Sequence, residues 1–123
     1  MAESIDIEVI PTLSGGEGIS VATGSIGATV TQVKSTGGQV MGWYVFNSNT
    51  VTVYMQVFNA IPTNVTLGTT APYASYGIPA GSGANVLSER GIQFSTGISI
   101  AFTTTRSGST APTNTVDYNI FYS

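Results

Sequence analysis

The sequence predicts an all-β protein: a single antiparallel β-sandwich or jelly-roll-like domain, with an extended N-terminal arm. Three observations carry this. Apolar and polar residues alternate with a period of two in several short stretches, as half-buried strands require. Thr, Val, Ile, Tyr and Phe, which suit a pleated surface, are common, and no window sustains a helical period. Turn-forming Gly, Pro, Asn and Ser separate the stretches at short intervals. At 123 residues the chain has room for one domain and one core.

The elements follow in order. Ile5, Ile7 and Val9 alternate with Ser4, Asp6 and Glu8, giving one apolar and one acidic face. Pro11 and the run Ser14-Gly15-Gly16-Glu17-Gly18 break the chain, so residues 1–25 read as an arm and Gly-rich hinge and residues 26–123 as the sandwich. A strand is expected over 28–33. Residues 40–46 are nearly all apolar, as in a strand buried on both faces. Asn47-Ser48-Asn49 reads as a turn into residues 50–58, where Val51, Val53, Met55 and Val57 alternate with Thr52, Tyr54 and Gln56. The two stretches together predict a β-hairpin at the centre of the sheet.

Residues 59–83 read as loop, broken by Pro62, Pro72 and Pro79, with a short strand over 63–67. Tyr73, Tyr76 and Ile78 lie on a segment too rich in Pro and Gly for a regular strand. A strand over 84–88 is closed by Glu89-Arg90-Gly91. Ile98, Ile100 and Phe102 mark one further strand; Val116, Tyr118, Ile120 and Tyr122 mark the last. The stretches 68–72 and 108–112 echo each other as loops and do not amount to a repeat.

Composition excludes several classes of function. There is no His and no Cys, and only 7% of residues are charged. Those two side chains most readily become bases, nucleophiles and transition-metal ligands near neutral pH. A Ser or Thr nucleophile would need an adjacent base, and Lys34 stands alone among polar residues. The expectation is a non-enzymatic protein with no cofactor and no metal site. A net charge of −3, with Lys34, Arg90 and Arg106 far apart, is the wrong sign and pattern for a nucleic-acid partner. No stretch approaches 18 apolar residues, so no membrane span is expected, and the acidic residues 1–6 do not resemble a secretory signal.

Each remaining constellation has a plain structural reading beside a functional one. Asp6 and Glu8 suit a solvated strand face better than a cation site. Glu89-Arg90-Gly91 decorates a turn, although Arg90 has the chemistry of an interface anchor. The Gly-rich runs at 14–18 and 81–83 lack the spacing and lysine of a phosphate loop. Asn64-Val65-Thr66 has the N-glycosylation pattern and is assigned no role. Trp43 belongs in the core, whereas Tyr44, Tyr54, Tyr73, Tyr76, Tyr118 and Tyr122 are the aromatics from which a sugar-stacking platform would be built. Tyr73 and Tyr76, in their irregular loop, are the better interface candidates. Ile5, Ile7 and Val9 would serve an arm that adds a strand to a neighbouring subunit.

The second half of the chain resembles small structural proteins of tailed bacteriophages and prophages. The likeness rests on an order of features over residues 40–123. An apolar strand pair (42–46 and 53–60) comes first. A Pro/Gly/Thr loop follows, through Ile78-Pro79-Ala80-Gly81. Then come Gly91-Ile92-Gln93-Phe94-Ser95-Thr96-Gly97-Ile98 and a polar loop into the last strand. The resemblance is strongest to capsid decoration (cement) proteins. It implies a virion component made in the host cytoplasm and placed on the outer capsid surface. Its partners would be the major capsid protein and other copies of itself, with a trimer favoured, and it would tie capsomers together. It carries over no functional residue. The alternatives are a tail, baseplate or fibre component that takes part in receptor binding, and a carbohydrate-binding β-sandwich module.

Overall fold

The structure, a computed structural model, describes residues 18–123. Ile5, Ile7, Val9 and most of the expected arm lie outside the described residues. Among the described residues eight strands follow in chain order: β1 (Ser20–Ile26), β2 (Thr31–Lys34), β3 (Gly38–Asn47), β4 (Val53–Phe58), β5 (Ala74–Ile78), β6 (Ser82–Phe94), β7 (Ile98–Thr103) and β8 (Val116–Tyr122). A single turn of 3-10 helix, Pro62–Asn64, interrupts the long β4–β5 connection where a strand over 63–67 was expected.

The strands form two four-stranded sheets, ordered β1-β8-β3-β6 and β2-β7-β4-β5, and every neighbouring pair is antiparallel. β1 pairs with β8, β2 with β7, β3 with β6 and β4 with β5. The chain is therefore one long antiparallel hairpin with β4–β5 at its tip, rolled so that successive rungs fall in alternate sheets. This strand order is that of a jelly roll. It chooses between the two all-β architectures the sequence left open. Residues 20–25, placed in the arm by the sequence, form most of edge strand β1 instead.

The expected hairpin of residues 40–46 with 50–58 does not form, because β3 and β4 lie in opposite sheets. The cause is Asn47, whose side chain is fully buried. Its amide nitrogen donates to the carbonyls of Val51 (3.0 Å), Ile78 (3.0 Å) and Pro79 (3.2 Å). Its Oδ1 accepts from the backbone and side-chain amides of Asn49, both at 2.9 Å. Asn49 in turn donates to the Asn114 carbonyl (2.9 Å) and accepts from the Asn114 amide (2.6 Å). This buried network bends the chain from one sheet to the other and ties the corner to the β5–β6 and β7–β8 connections.

The core lies between the sheets. Val40, Trp43, Val45, Val116, Tyr118 and Ile120 from the first sheet meet Val53, Met55, Val57, Ile78, Ile98, Ile100 and Phe102 from the second. Full burial of each aliphatic or Phe side chain is worth about 1.5–3 kcal/mol. The expectation that β3 is buried on both faces is half right: Trp43 and Val45 are buried, while Tyr44 and Phe46 point to solvent. The reverse holds for β7, where simple alternation was expected and all six residues are buried.

The burial of β7 arises because loops cover the outside of the second sheet. Phe58, Gln56, Ser99, Ala101 and Thr103 lie beneath them. The polar members find partners there, Gln56 Oε1 excepted: Ser99 Oγ donates to the Ala60 carbonyl (2.6 Å), Gln56 Nε2 to Thr103 Oγ1 (2.6 Å) and the Gly108 carbonyl (3.0 Å), and Thr103 Oγ1 to the Thr105 carbonyl (2.7 Å). The first sheet has no such cover among the described residues.

β6 extends from Ser82 to Phe94, well past the end expected at Ser88. Opposite Met41 alone stand the four residues 88–91, since Gly42 pairs with Leu87 and Val40 with Ile92. The surplus forms a bulge, closed by a hydrogen bond from the Gly91 amide to Ser88 Oγ (3.1 Å), with Gly91 at φ +79°.

Candidate functional site

The antiparallel register fixes what the open face of the first sheet displays. Three rows cross it from β1 to β6: Val21–Phe121–Gly42–Leu87, Thr23–Asn119–Tyr44–Asn85 and Ser25–Asp117–Phe46–Gly83. The first row is apolar and the other two mix aromatic rings with amides, hydroxyls and one carboxylate. The face therefore has two regions, which meet at Tyr44.

The apolar corner is built by Ile19, Met41, Tyr44, Leu87 and Phe121, beside the bulge residues Ser88 and Glu89. Leu87 is 72% exposed and Ile19 57%. Gly42 forms the floor. A Cβ at that position would be driven into the Val86 carbonyl and within 2.9 Å of Leu87 Cδ2, so only glycine lets β6 approach this closely. Beside Gly42, Phe121 meets Tyr44 edge to face, with centroids 5.5 Å apart. Exposed apolar side chains gathered on one face are the kind of patch through which proteins dock.

At the other end of the face an open trough of about 620 Å³ crosses all four strands. Tyr44 and Phe46, each about half exposed, rise from its middle between Asn85 on one side and Asp117 and Asn119 on the other. Its lining holds one carboxylate and no cation.

The residues singled out from sequence fall elsewhere. Tyr73 is exposed, with its ring 5.0 Å from that of Phe94. Tyr76 does not belong to an irregular loop: it lies on β5 and packs against the core, its ring 4.7 Å from that of Trp43. Burial, and then the neighbouring Tyr73 phenol, push its pKa above the ordinary tyrosine value. Arg90 is exposed on the β6 bulge. The surface that does assemble uses Ile19, Met41, Phe46, Leu87 and Phe121, which the sequence reading passed over. The alternation of β8 and the exposed position of Tyr44 in β3 were the signals available for it.

Among the described residues no group of His, Cys, Asp and Glu is placed to hold a metal ion, and no helix is long and apolar enough to cross a membrane. Comparison with known protein families, with curated proteins and with solved structures finds no match. The class this chain defines is therefore one of fold and surface: a jelly roll with one sealed sheet and one open, partly apolar sheet.

Proposed function

We propose that this protein is a non-enzymatic structural component of a virion, a capsid decoration protein that docks on the outer head surface and strengthens contacts between capsomers. The observation that carries the reading is the apolar corner at Ile19, Met41, Leu87 and Phe121, where apolar side chains from four segments gather on the open face. Burying such a patch on a capsid stabilises both partners by mass action. A surface low in charge also suits crowding at high copy number on a shell. The jelly roll is shared by capsid and lectin domains, so the fold agrees with this role without selecting it. Self-association, with a trimer favoured, belongs to the same proposal.

The test is reassociation of the purified protein with particles from which it has been stripped, followed by co-sedimentation. Leu87→Glu removes an apolar anchor and buries a charge in its place. It should weaken association by more than about ten-fold while leaving the exposed site, and hence the fold, intact. Wild-type protein that fails to bind particles, or a Leu87→Glu variant that binds as well as wild type, would count against the proposal.

A further inference from the structure

The trough beside the apolar corner has a different chemistry. We infer that it is a binding site for a neutral oligosaccharide chain. Three features of the geometry lead there.

The first is the pair of rings. Tyr44 and Phe46 are next-but-one neighbours on β3, so both stand on the open face, and each is about half exposed. Phe46 has Gly83 as its neighbour on β6, so no side chain covers that flank of its ring. A sugar ring offers a C–H-rich face that packs on such a surface, and aromatic side chains pair an apolar body with low conformational freedom.

The second is the set of polar groups around the rings. Asn85, Asn119 and Asp117 flank them on both sides, and Thr23 adds a hydroxyl at the β1 end. Amides offer paired donors and acceptors and a carboxylate offers two acceptors, which match the vicinal hydroxyls of a sugar. In contrast with Asn47 and Asn49, whose amides are consumed inside the fold, Asn85 and Asp117 are exposed to solvent.

The third is charge and shape. One carboxylate with no cation opposes phosphorylated, sulfated or uronic-acid chains and leaves neutral ones. The trough crosses four strands, a span of about 14 Å at the usual strand spacing. That is the reach of a short oligosaccharide and exceeds a single ring. Its volume of about 620 Å³ falls within the roughly 300–1,000 Å³ common to ligand clefts.

This inference stands apart from the virion proposal, because it concerns the free protein and a trough that shares only Tyr44 with the apolar corner. The experiment is an NMR titration of the whole chain with cellohexaose, maltohexaose, mannohexaose and chitohexaose, with a heparin hexasaccharide as the acidic comparison. At least one neutral chain should shift the amides of Phe46, Asn85 and Asn119 saturably. Phe46→Ala and Asn85→Ala, both at exposed positions, should each weaken that binding about ten-fold or more, and Leu87→Glu should leave it unchanged. The inference is overturned if none of the four neutral chains shifts these residues, if the acidic chain binds more tightly, or if Phe46→Ala and Asn85→Ala bind as wild type.

Discussion

The Tyr44 and Phe121 rings meet at 84° on the outside of the first sheet, Tyr44 pairing with Asn119 and Phe121 with Gly42, so that the rings stand in adjacent rows. Phe121 shares its row with Gly42 and Leu87, and its ring reaches across to Tyr44 in the neighbouring row. The pair should be worth about 0.5–1.5 kcal/mol beyond its buried area. A double-mutant cycle of Tyr44→Ala and Phe121→Ala, read by urea unfolding, measures that coupling; strictly additive losses would show that the rings do not interact.

Gly42→Ala is expected to be the most disruptive exposed-face substitution. The new methyl group has the Val86 backbone in its way, and backbone cannot step aside as a side-chain end can. Overpacking of this kind costs roughly 1–3 kcal/mol. Gly81→Ala is the control. Gly81, unlike Gly42, has a positive φ, +64°, and no atom lies within 4 Å of an added Cβ, so only the conformational cost of about 1 kcal/mol remains. Equal losses for the two would contradict the close approach of β6 to β3.

Asn47 should be the most sensitive polar residue. Asn47→Ala leaves the Ile78 carbonyl and the Asn49 backbone amide without their buried partner, and takes one partner from the Val51 and Pro79 carbonyls and from the Asn49 side chain. Each buried unsatisfied group costs about 1–3 kcal/mol, so the loss should exceed about 2 kcal/mol. Asn47→Asp keeps the acceptor yet turns a carboxylate toward three carbonyls, and it should be worse than Ala at neutral pH. Chemical denaturation of both variants checks the order.

The sequence and the structure differ most instructively at this same corner. Two apolar stretches separated by Asn47-Ser48-Asn49 have the local form of a hairpin. What sends them to opposite sheets is bonding to residues 78, 79 and 114, and no local pattern contains that information. β7 and β8 were legible because Ile98, Ile100 and Phe102 in the one, and Val116, Tyr118, Ile120 and Tyr122 in the other, recur with a period of two. β1 was missed because its sequence, Ser-Val-Ala-Thr-Gly-Ser-Ile, has little apolar alternation and pairs on one side only among the described residues. Tyr76 was misjudged because Pro72 and Pro79 flank a regular strand and do not interrupt it. The open face was the least legible feature. Ile19, Met41, Leu87 and Phe121 come from four distant segments, and only the pairing register brings them together.

Stability should be insensitive to pH around neutrality and fall in alkali. The chain has no His or Cys to titrate near pH 7. Tyr118 is held above its ordinary pKa by burial, and Tyr76 by burial and then by Tyr73. A raised folded-state pKa means that the folded protein holds the phenolic proton more tightly than the unfolded chain. The stabilising contribution is therefore complete below about pH 10 and is lost as pH rises through the folded-state value. Tyr118→Phe should flatten the alkaline decline in a series of thermal melts. A decline of unchanged steepness would remove Tyr118 as its source.

The central claim is that this chain belongs to the outside of a virion head, and copy number tests it most directly. Quantitative mass spectrometry of purified particles would compare it with the major capsid protein. The account predicts hundreds of copies, in a simple ratio to the capsid protein. A few copies per particle would instead place it in the tail, and absence from particles would contradict the virion proposal altogether.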